Sequence, residues 1–183
     1  MNAKVARMTR MAVFLTAAVA LSGCLKPENF PDQPILTFKS LEQTYEEIPD
    51  PSSIPVFGKF IYVTVEFTDG DGDIGLDEGD TQSPFGQDEA HYNNFFVEFK
   101  RRTGGVWTDI DSDWPYRMKR ISPSGQDPTL NGEIEVKVGP YPGVRPFPLP
   151  DILPGDTLQA YVRLEDRSLN MSNTVTSEAF VLQ

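Results

Sequence analysis

Apolar and more polar residues alternate along several short segments of the chain. In the segment Lys59–Thr68, apolar side chains stand at every second position, at Ile61, Val63, Val65 and Phe67. A period of two is typical of a β-strand that turns one face toward a core. The pattern therefore predicts a half-buried strand over Lys59–Thr68.

The same alternation predicts further strands along the rest of the chain. A hairpin is predicted where Phe95, Val97 and Phe99 are followed by the turn residues Thr103, Gly104 and Gly105 and then by Val106 and Trp107. The other predicted strands are Ile35–Leu41, the segment with Ile134, Val136 and Val138, the segment Leu158–Glu165, and a last strand over Thr174–Leu182. Proline-rich loops are expected through Glu46, Glu47, Pro49, Asp50 and Pro51, and between Pro140 and Pro154.

These segments define an all-β fold class. Outside the N-terminal segment no helical period is found, and only a short turn is expected near Asp88–Tyr92. About seven short strands with Gly and Pro turns predict an antiparallel immunoglobulin-like β-sandwich over residues 35–183. The stretch Leu153–Leu182 resembles the last two strands of fibronectin type III and related immunoglobulin-like domains.

The N-terminus predicts export and a lipid anchor. Three basic residues precede an apolar run, Met11–Leu21, that is short for a transmembrane helix. The sequence Leu21-Ser22-Gly23-Cys24 matches the lipobox of bacterial lipoproteins, in which the cysteine is lipidated and becomes the mature N-terminus. We expect a signal peptide over residues 1–23, lipidation at Cys24, and a Pro-rich tether over residues 24–34.

Composition narrows the classes of partner. Cys24 is the only cysteine, so the exported chain has no internal disulfide and depends on packing or bound ions. The net charge is −11, and removal of Lys4, Arg7 and Arg10 with the signal peptide makes it −14. Such a surface repels nucleic acid and attracts divalent cations, and it leaves membrane attachment to the lipid.

The most acidic motif predicts a calcium site. Asp69, Asp71 and Asp73 alternate with Gly70 and Gly72 directly after a predicted strand. Carboxylates on alternate residues of a tightly turning backbone can converge on Ca²⁺, and glycine permits the turn. The motif is not an EF-hand, because strands rather than helices flank it.

The topology of a sandwich adds a fourth ligand. If the strands ending near Thr68 and Glu165 are strands B and F, the loops that follow them lie at the same end, and Asp166 faces the acidic loop. Asp77, Asn170 and Asn173 are possible additional ligands. In the alternative interpretation, the Asp-Gly pairs form ordinary turns and Arg167 neutralises the carboxylates without a metal ion.

Together, the lipobox, the Asp-Gly stretch and the C-terminal pattern give the chain a family resemblance. The mature chain resembles uncharacterised Bacteroidetes-type lipoproteins that carry an immunoglobulin-like domain. The resemblance implies a location in the bacterial cell envelope and an immunoglobulin-like fold. We expect the outer membrane as the anchoring membrane, with the domain facing either the periplasm or the cell surface. The resemblance implies no particular activity.

Two other sets of residues suggest different chemistry. Trp107, Trp114 and Tyr116 stand near Asp109, Asp111 and Asp113, a mixture that could stack on a sugar ring and bind its hydroxyls, although such tryptophans more often pack in a core. His91 is the only histidine, which excludes multi-histidine zinc sites, and we expect it at the surface.

The sequence therefore predicts a non-enzymatic, calcium-stabilised lipoprotein with a binding or structural role. Its partners are the membrane, reached through the N-terminal lipid, and another envelope protein or a glycan. One alternative is a glycan-binding accessory lipoprotein. The other is a hydrolase that uses a carboxylate pair, although the spacing of the acidic residues in the sequence does not single out any two of them as that pair. The sequence indicates no oligomeric state.

Overall fold

The computed structural model describes residues 30–48, 56–110, 114–123, 128–139 and 154–183. The predicted signal peptide, the lipidation site Cys24 and the first part of the predicted tether lie outside these residues. The described part of the chain has no helix with the length and apolar character needed to cross a membrane.

The first sheet has three antiparallel strands in the order β1-β2-β6. They are β1 (Ile35–Ile48), β2 (Val56–Asp69) and β6 (Leu130–Val138). The hairpin of β1 and β2 is paired from Ile35 opposite Thr68 to Ile48 opposite Val56, whereas β6 pairs with β2 only as far as Ile61. The far half of this hairpin therefore extends beyond β6.

The second sheet has six strands built around β3 (Phe95–Thr103) and β7 (Thr157–Leu164). One edge of β3 pairs with β4 (Val106–Asp109) and β5 (Trp114–Tyr116). The far edge of β7 pairs with β8 (Val175–Thr176) and β9 (Phe180–Val181). All of these pairings are antiparallel.

The alternating apolar residues of both sheets form one core. Phe95, Val97 and Val162 of the second sheet and Val63 and Val65 of the first are fully buried and belong to the same apolar cluster. Burial alternates residue by residue along β7, as a strand with one face in the core requires. The predicted all-β sandwich of two antiparallel sheets is confirmed.

The structure corrects three details of the predicted strands. The first strand does not end near Leu41: it continues through Glu46 and Glu47, which lie on the extended hairpin. The predicted last strand is split, because the Ser177 hydroxyl accepts a hydrogen bond from the Ala160 amide at 2.9 Å and interrupts the regular ladder between β8 and β9. The short strand β5 was not predicted.

Candidate metal centre

Four aspartates from two distant segments form one cluster at an end of the sandwich. Asp69 is the last residue of β2, Asp71 and Asp73 follow in the next loop, and Asp166 stands two residues after β7. One carboxylate oxygen of each residue lies within 4.8 Å of those of the other three. The predicted meeting of the loops after these two strands is confirmed. We refer to these four residues as the aspartate cluster.

The loop after β2, which carries Asp71 and Asp73 and is called the first loop below, has its backbone held at both ends. Gly72 has a positive φ of 69°, a conformation that side chains with a Cβ rarely adopt. Beyond it, Ile74 and Leu76 are buried, and their backbones bond to a neighbouring segment through Ile121 N to Ile74 O at 2.9 Å and Leu76 N to Met118 O at 3.0 Å. The loop that carries Asp71 and Asp73 is therefore held between β2 and a packed apolar segment.

Asp166 is held by its own turn. Its carboxylate accepts hydrogen bonds from the backbone amide of Asn170 at 2.7 Å and from the Asn170 side-chain amide at 2.9 Å. Leu169 takes a left-handed φ of 66° within this turn. The turn also meets the first loop, because Arg167 N donates to Asp73 O at 3.2 Å and Ser168 Oγ donates to Asp73 Oδ2 at 2.6 Å.

The hydrogen bonds inside the cluster leave two buried carboxylate oxygens without a partner. Asp69 is 0 % exposed, and only its Oδ2 accepts a hydrogen bond, from Asp73 N at 3.0 Å. Asp69 Oδ1 and Asp73 Oδ1 are buried and have no hydrogen-bond partner. Such atoms are costly to bury as anions unless another group compensates them.

Without a bound ion, the electrostatics of the cluster favour protonation of its carboxylates. Burial raises the pKa of Asp69 to about 7, and the charges of Asp71, Asp73 and Asp166 add to this effect. Burial also raises the pKa of Asp166, with repulsion from Asp73 and Asp71 acting in the same direction. Asp71 is exposed, but partial desolvation and the charges of Asp73 and Asp32 raise its pKa as well. The cluster therefore resists simultaneous ionisation of its members.

Arg167 does not neutralise the cluster, as the metal-free interpretation required. Its guanidinium is paired with Asp77 Oδ2 at 3.0 Å and with Asp80 Oδ1 at 2.6 Å. Arg120 also pairs with Asp77, at 3.1 Å. Within the described ranges, no ion pair joins a lysine or arginine to the aspartate cluster.

The donor set fits a hard divalent cation. The cluster offers only carboxylate oxygens, two of them unsatisfied, and carries up to four negative charges. Ca²⁺ takes six to eight oxygen ligands in a flexible geometry, so carboxylates and water could complete its shell. Asp69, Asp71, Asp73 and Asp166 are the residues that would hold it.

The other proposed ligands lie elsewhere or are already bonded. Asp77 is engaged by the two arginines rather than by the cluster. Asn170 borders the cluster, where its side chain donates to Asp166. The Asn173 amide is bonded to the Leu36 backbone, accepting from Leu36 N at 2.8 Å and donating to Leu36 O at 2.9 Å.

The structure does not bring the aromatic residues into one platform. Trp107 pairs with Arg102, on the outward face of the second sheet, whereas Trp114 pairs with Val97 and Tyr116 with Phe95, both of which point into the core. Directly opposed residues share a face of a sheet. Trp107 is therefore separated from the other two by the sheet itself. Asp109 is exposed on β4, and Asp111 and Asp113 lie outside the described residues.

His91 is half-buried rather than simply at the surface. Its Nδ1 lies 2.8 Å from Oε2 of Glu165, whose side chain is 9 % exposed. Glu165 directly precedes Asp166 in the chain, so its contact with His91 restrains the start of the turn that contains Asp166.

Two residues that were not predicted from the sequence organise the surroundings of the site. The Arg117 guanidinium donates to four carbonyl oxygens of the preceding loop, those of Asp77, Asp80, Phe85 and Tyr92. Buried Asn94 joins three segments, because its backbone bonds to Tyr116 and Glu165 and its side chain accepts from Met118 N at 2.7 Å. No local pattern marks either residue, since both act through distant backbone groups.

The raised pKa of Asp69 predicts how stability depends on pH without metal. The folded protein retains a proton near pH 7 that the unfolded chain releases near pH 4, so the free energy of unfolding falls as pH rises from about 5 to about 7. Glu46 and Asp77 have lowered pKa values, and their contributions are complete above about pH 5. Urea unfolding in metal-free buffer between about pH 5 and pH 8 measures this slope; stability that rises over this range would contradict it.

Fold and site together define an all-β sandwich with an oxygen-only cluster of four carboxylates at one end, of which Asp69 and Asp166 are buried, Asp73 is half-buried and Asp71 is exposed. No model of a protein family, no curated protein and no solved structure matches the chain.

Proposed function

We propose that the protein is a membrane-anchored lipoprotein of the bacterial cell envelope, whose immunoglobulin-like β-sandwich has a non-enzymatic binding or structural role and is stabilised by Ca²⁺. The lipobox that ends at Cys24 supports the anchor and the outer-membrane location. The two-sheet architecture supports a scaffold that presents loops.

One observation carries the calcium proposal. Asp69 is fully buried, its Oδ1 has no hydrogen-bond partner, and three further carboxylates each place an oxygen within 4.8 Å of one of its own. No lysine or arginine of the described residues is paired with these carboxylates. A surface turn rich in aspartate would leave its carboxylates in water and would not need compensation. A divalent cation held by the four groups would supply that compensation.

The chemistry of the ligands favours calcium over other metal ions. Zinc prefers histidine and cysteine, and neither belongs to this cluster. Magnesium demands near-ideal octahedral geometry and keeps most of its water, which suits a set of four clustered carboxylates less well. Calcium accepts irregular oxygen shells, and extracellular modules often bind it with dissociation constants of about 0.1–1 mM.

Isothermal titration of the purified full-length chain with calcium chloride tests this proposal. We expect saturable binding with a dissociation constant of about 1 mM or tighter. Magnesium chloride, titrated under the same conditions, serves as the control for non-specific screening and should bind more weakly. The absence of both binding heat and a thermal shift at several millimolar calcium would reject the ion site.

A further inference from the structure

The N-terminal segment, residues 30–34, lies against both loops that carry the aspartate cluster. It forms the last part of the predicted tether and leads directly into β1, which begins at Ile35. Its Pro34 is buried, although Pro31, Asp32 and Gln33 are exposed. The segment therefore packs against the sandwich at Pro34, directly before β1.

The first loop contacts the segment through its backbone. The Gly70 amide donates to the Pro31 carbonyl oxygen at 2.8 Å. A Cβ built on Gly70 would stand 2.3 Å from the carbonyl oxygen of Phe30 and 2.8 Å from that of Pro31. Only glycine allows the segment to approach this closely at the position between Asp69 and Asp71.

The loop after β7, which carries Asp166, forms hydrogen bonds with the same segment and with the start of β1. The Gln33 side chain donates to the Met171 carbonyl oxygen at 2.6 Å. Asn173 forms two hydrogen bonds with the backbone of Leu36. Residues 33–36 are thus bonded to the turn that follows Asp166.

Charge opposes this arrangement when no cation is present. Asp32 lies near enough for its charge to act on Asp71, in addition to the repulsion among Asp71, Asp73 and Asp166. A cation at the cluster would remove this repulsion between the segment and the loops against which it rests. By thermodynamic linkage, a cation that binds more tightly when the segment is docked also favours docking of the segment.

We infer that cation binding at the aspartate cluster favours docking of the N-terminal segment, residues 30–34, on the sandwich. The cation thereby determines the residue at which the ordered domain begins. This inference rests on the proposed calcium site, whose second line of support is the unpartnered Oδ1 of fully buried Asp69. With the ion bound, residues 30–34 are held against the sandwich. Without it, these residues are released as far as Ile35, which adds about 17 Å of reach at about 3.3 Å per residue.

Amide NMR of the uniformly ¹⁵N-labelled full-length chain, with and without calcium chloride, tests the inference. We expect calcium to raise the order parameters of the Asp32 and Gln33 amides from below about 0.6 toward about 0.85. We also expect slower hydrogen exchange of the Leu36 amide, which donates to Asn173. Amides in the middle of β7 serve as an internal reference and should not change.

The possible outcomes separate the inference from the proposal beneath it. Calcium binding seen by titration, with order gained in the loop 69–73 but not at Asp32 and Gln33, would overturn the inference and leave the calcium site intact. Absence of calcium binding would overturn both. Gain of order at Asp32 and Gln33 with calcium but not with magnesium at the same concentration supports the inference.

A pair of glycine variants provides a structural control. Gly70→Ala places a methyl group against Phe30 and should keep Asp32 and Gln33 mobile even at saturating calcium. Gly79→Ala adds a methyl group that meets no atom within 4 Å and should behave as the unmodified protein. Equal order of the segment in both variants would contradict the contact on which the inference depends.

Discussion

Asp69→Asn is expected to raise the melting temperature of the calcium-free protein and to remove most of the rise that calcium produces. In the absence of metal, Asp69 is a buried carboxyl whose pKa is raised to about 7, so its charge is unfavourable at neutral pH. Asparagine keeps an oxygen that can accept the hydrogen bond from Asp73 N but carries no charge. The same change removes one of the four carboxylates that are proposed to hold the ion.

The two effects have opposite signs and are separately measurable. Calcium at 100 times its dissociation constant would stabilise the unmodified protein by about 2.7 kcal/mol, which corresponds to a rise of about 5–10 °C in melting temperature for a chain of this size. We expect Asp69→Asn to lose most of this rise. In metal-free buffer we expect it to melt at least about 2 °C higher than the unmodified protein.

Asp109→Asn is the matched control for this prediction. It changes the net charge by the same amount, but Asp109 is 86 % exposed and lies on β4, outside the cluster. Its melting temperature should respond to calcium as the unmodified protein does. Thermal unfolding of the three proteins, with and without calcium, makes the comparison. A destabilised Asp69→Asn protein that keeps the full calcium response would contradict the assignment of Asp69 as a buried ligand.

Gly72→Ala is expected to destabilise the fold by about 3 kcal/mol or more. Its φ is 69°, and a Cβ at this position would stand 1.9 Å from the carbonyl oxygen of Pro128. Backbone strain in this region costs about 1–3 kcal/mol, and the clash with a backbone atom cannot be relieved by rotation of a side chain. The loop that carries Asp71 and Asp73 would have to move.

Two other glycines separate the causes of this effect. Gly104 has a positive φ of 60° but open space around a Cβ, so Gly104→Ala should show the strain without the clash, at about 1 kcal/mol. Gly79→Ala has neither and should change stability by less than about 0.5 kcal/mol. Urea unfolding of the three variants gives the series directly. Equal costs for Gly72→Ala and Gly104→Ala would show that the close approach to Pro128 does not matter.

The strands that the sequence predicted well are those with one face in the core. A buried apolar residue recurs at every second position over residues 61–67 of β2, 95–99 of β3, 134–138 of β6 and 158–164 of β7. The far half of β1 was missed because the hairpin there extends past β6, where burial no longer selects apolar residues. The segment Trp114–Tyr116 is too short for a period to be read.

The candidate site could be predicted only in part. Alternating Asp and Gly marked the first loop, and the topology of a sandwich placed Asp166 near it. The sequence does not show which partners the polar side chains near the site bind. The Asn173 side chain forms hydrogen bonds with the Leu36 backbone, and Asp77 forms ion pairs with two arginines, so neither is free to face the cluster. The contact between Gly70 and Pro31 was likewise invisible, because it joins backbone atoms of segments that are far apart in the chain.

The aspartate cluster takes its residues from both sheets. Asp69 ends a strand of the first sheet and Asp166 follows a strand of the second, so an ion shared by them would close a loop of about one hundred residues. In the chain-entropy model, a covalent cross-link over such a loop stabilises a fold by about 4.7 kcal/mol. A chain whose only cysteine is Cys24 cannot form that cross-link within itself. A calcium ion would act as a reversible cross-link, which forms or dissociates with the calcium concentration of the surrounding solution.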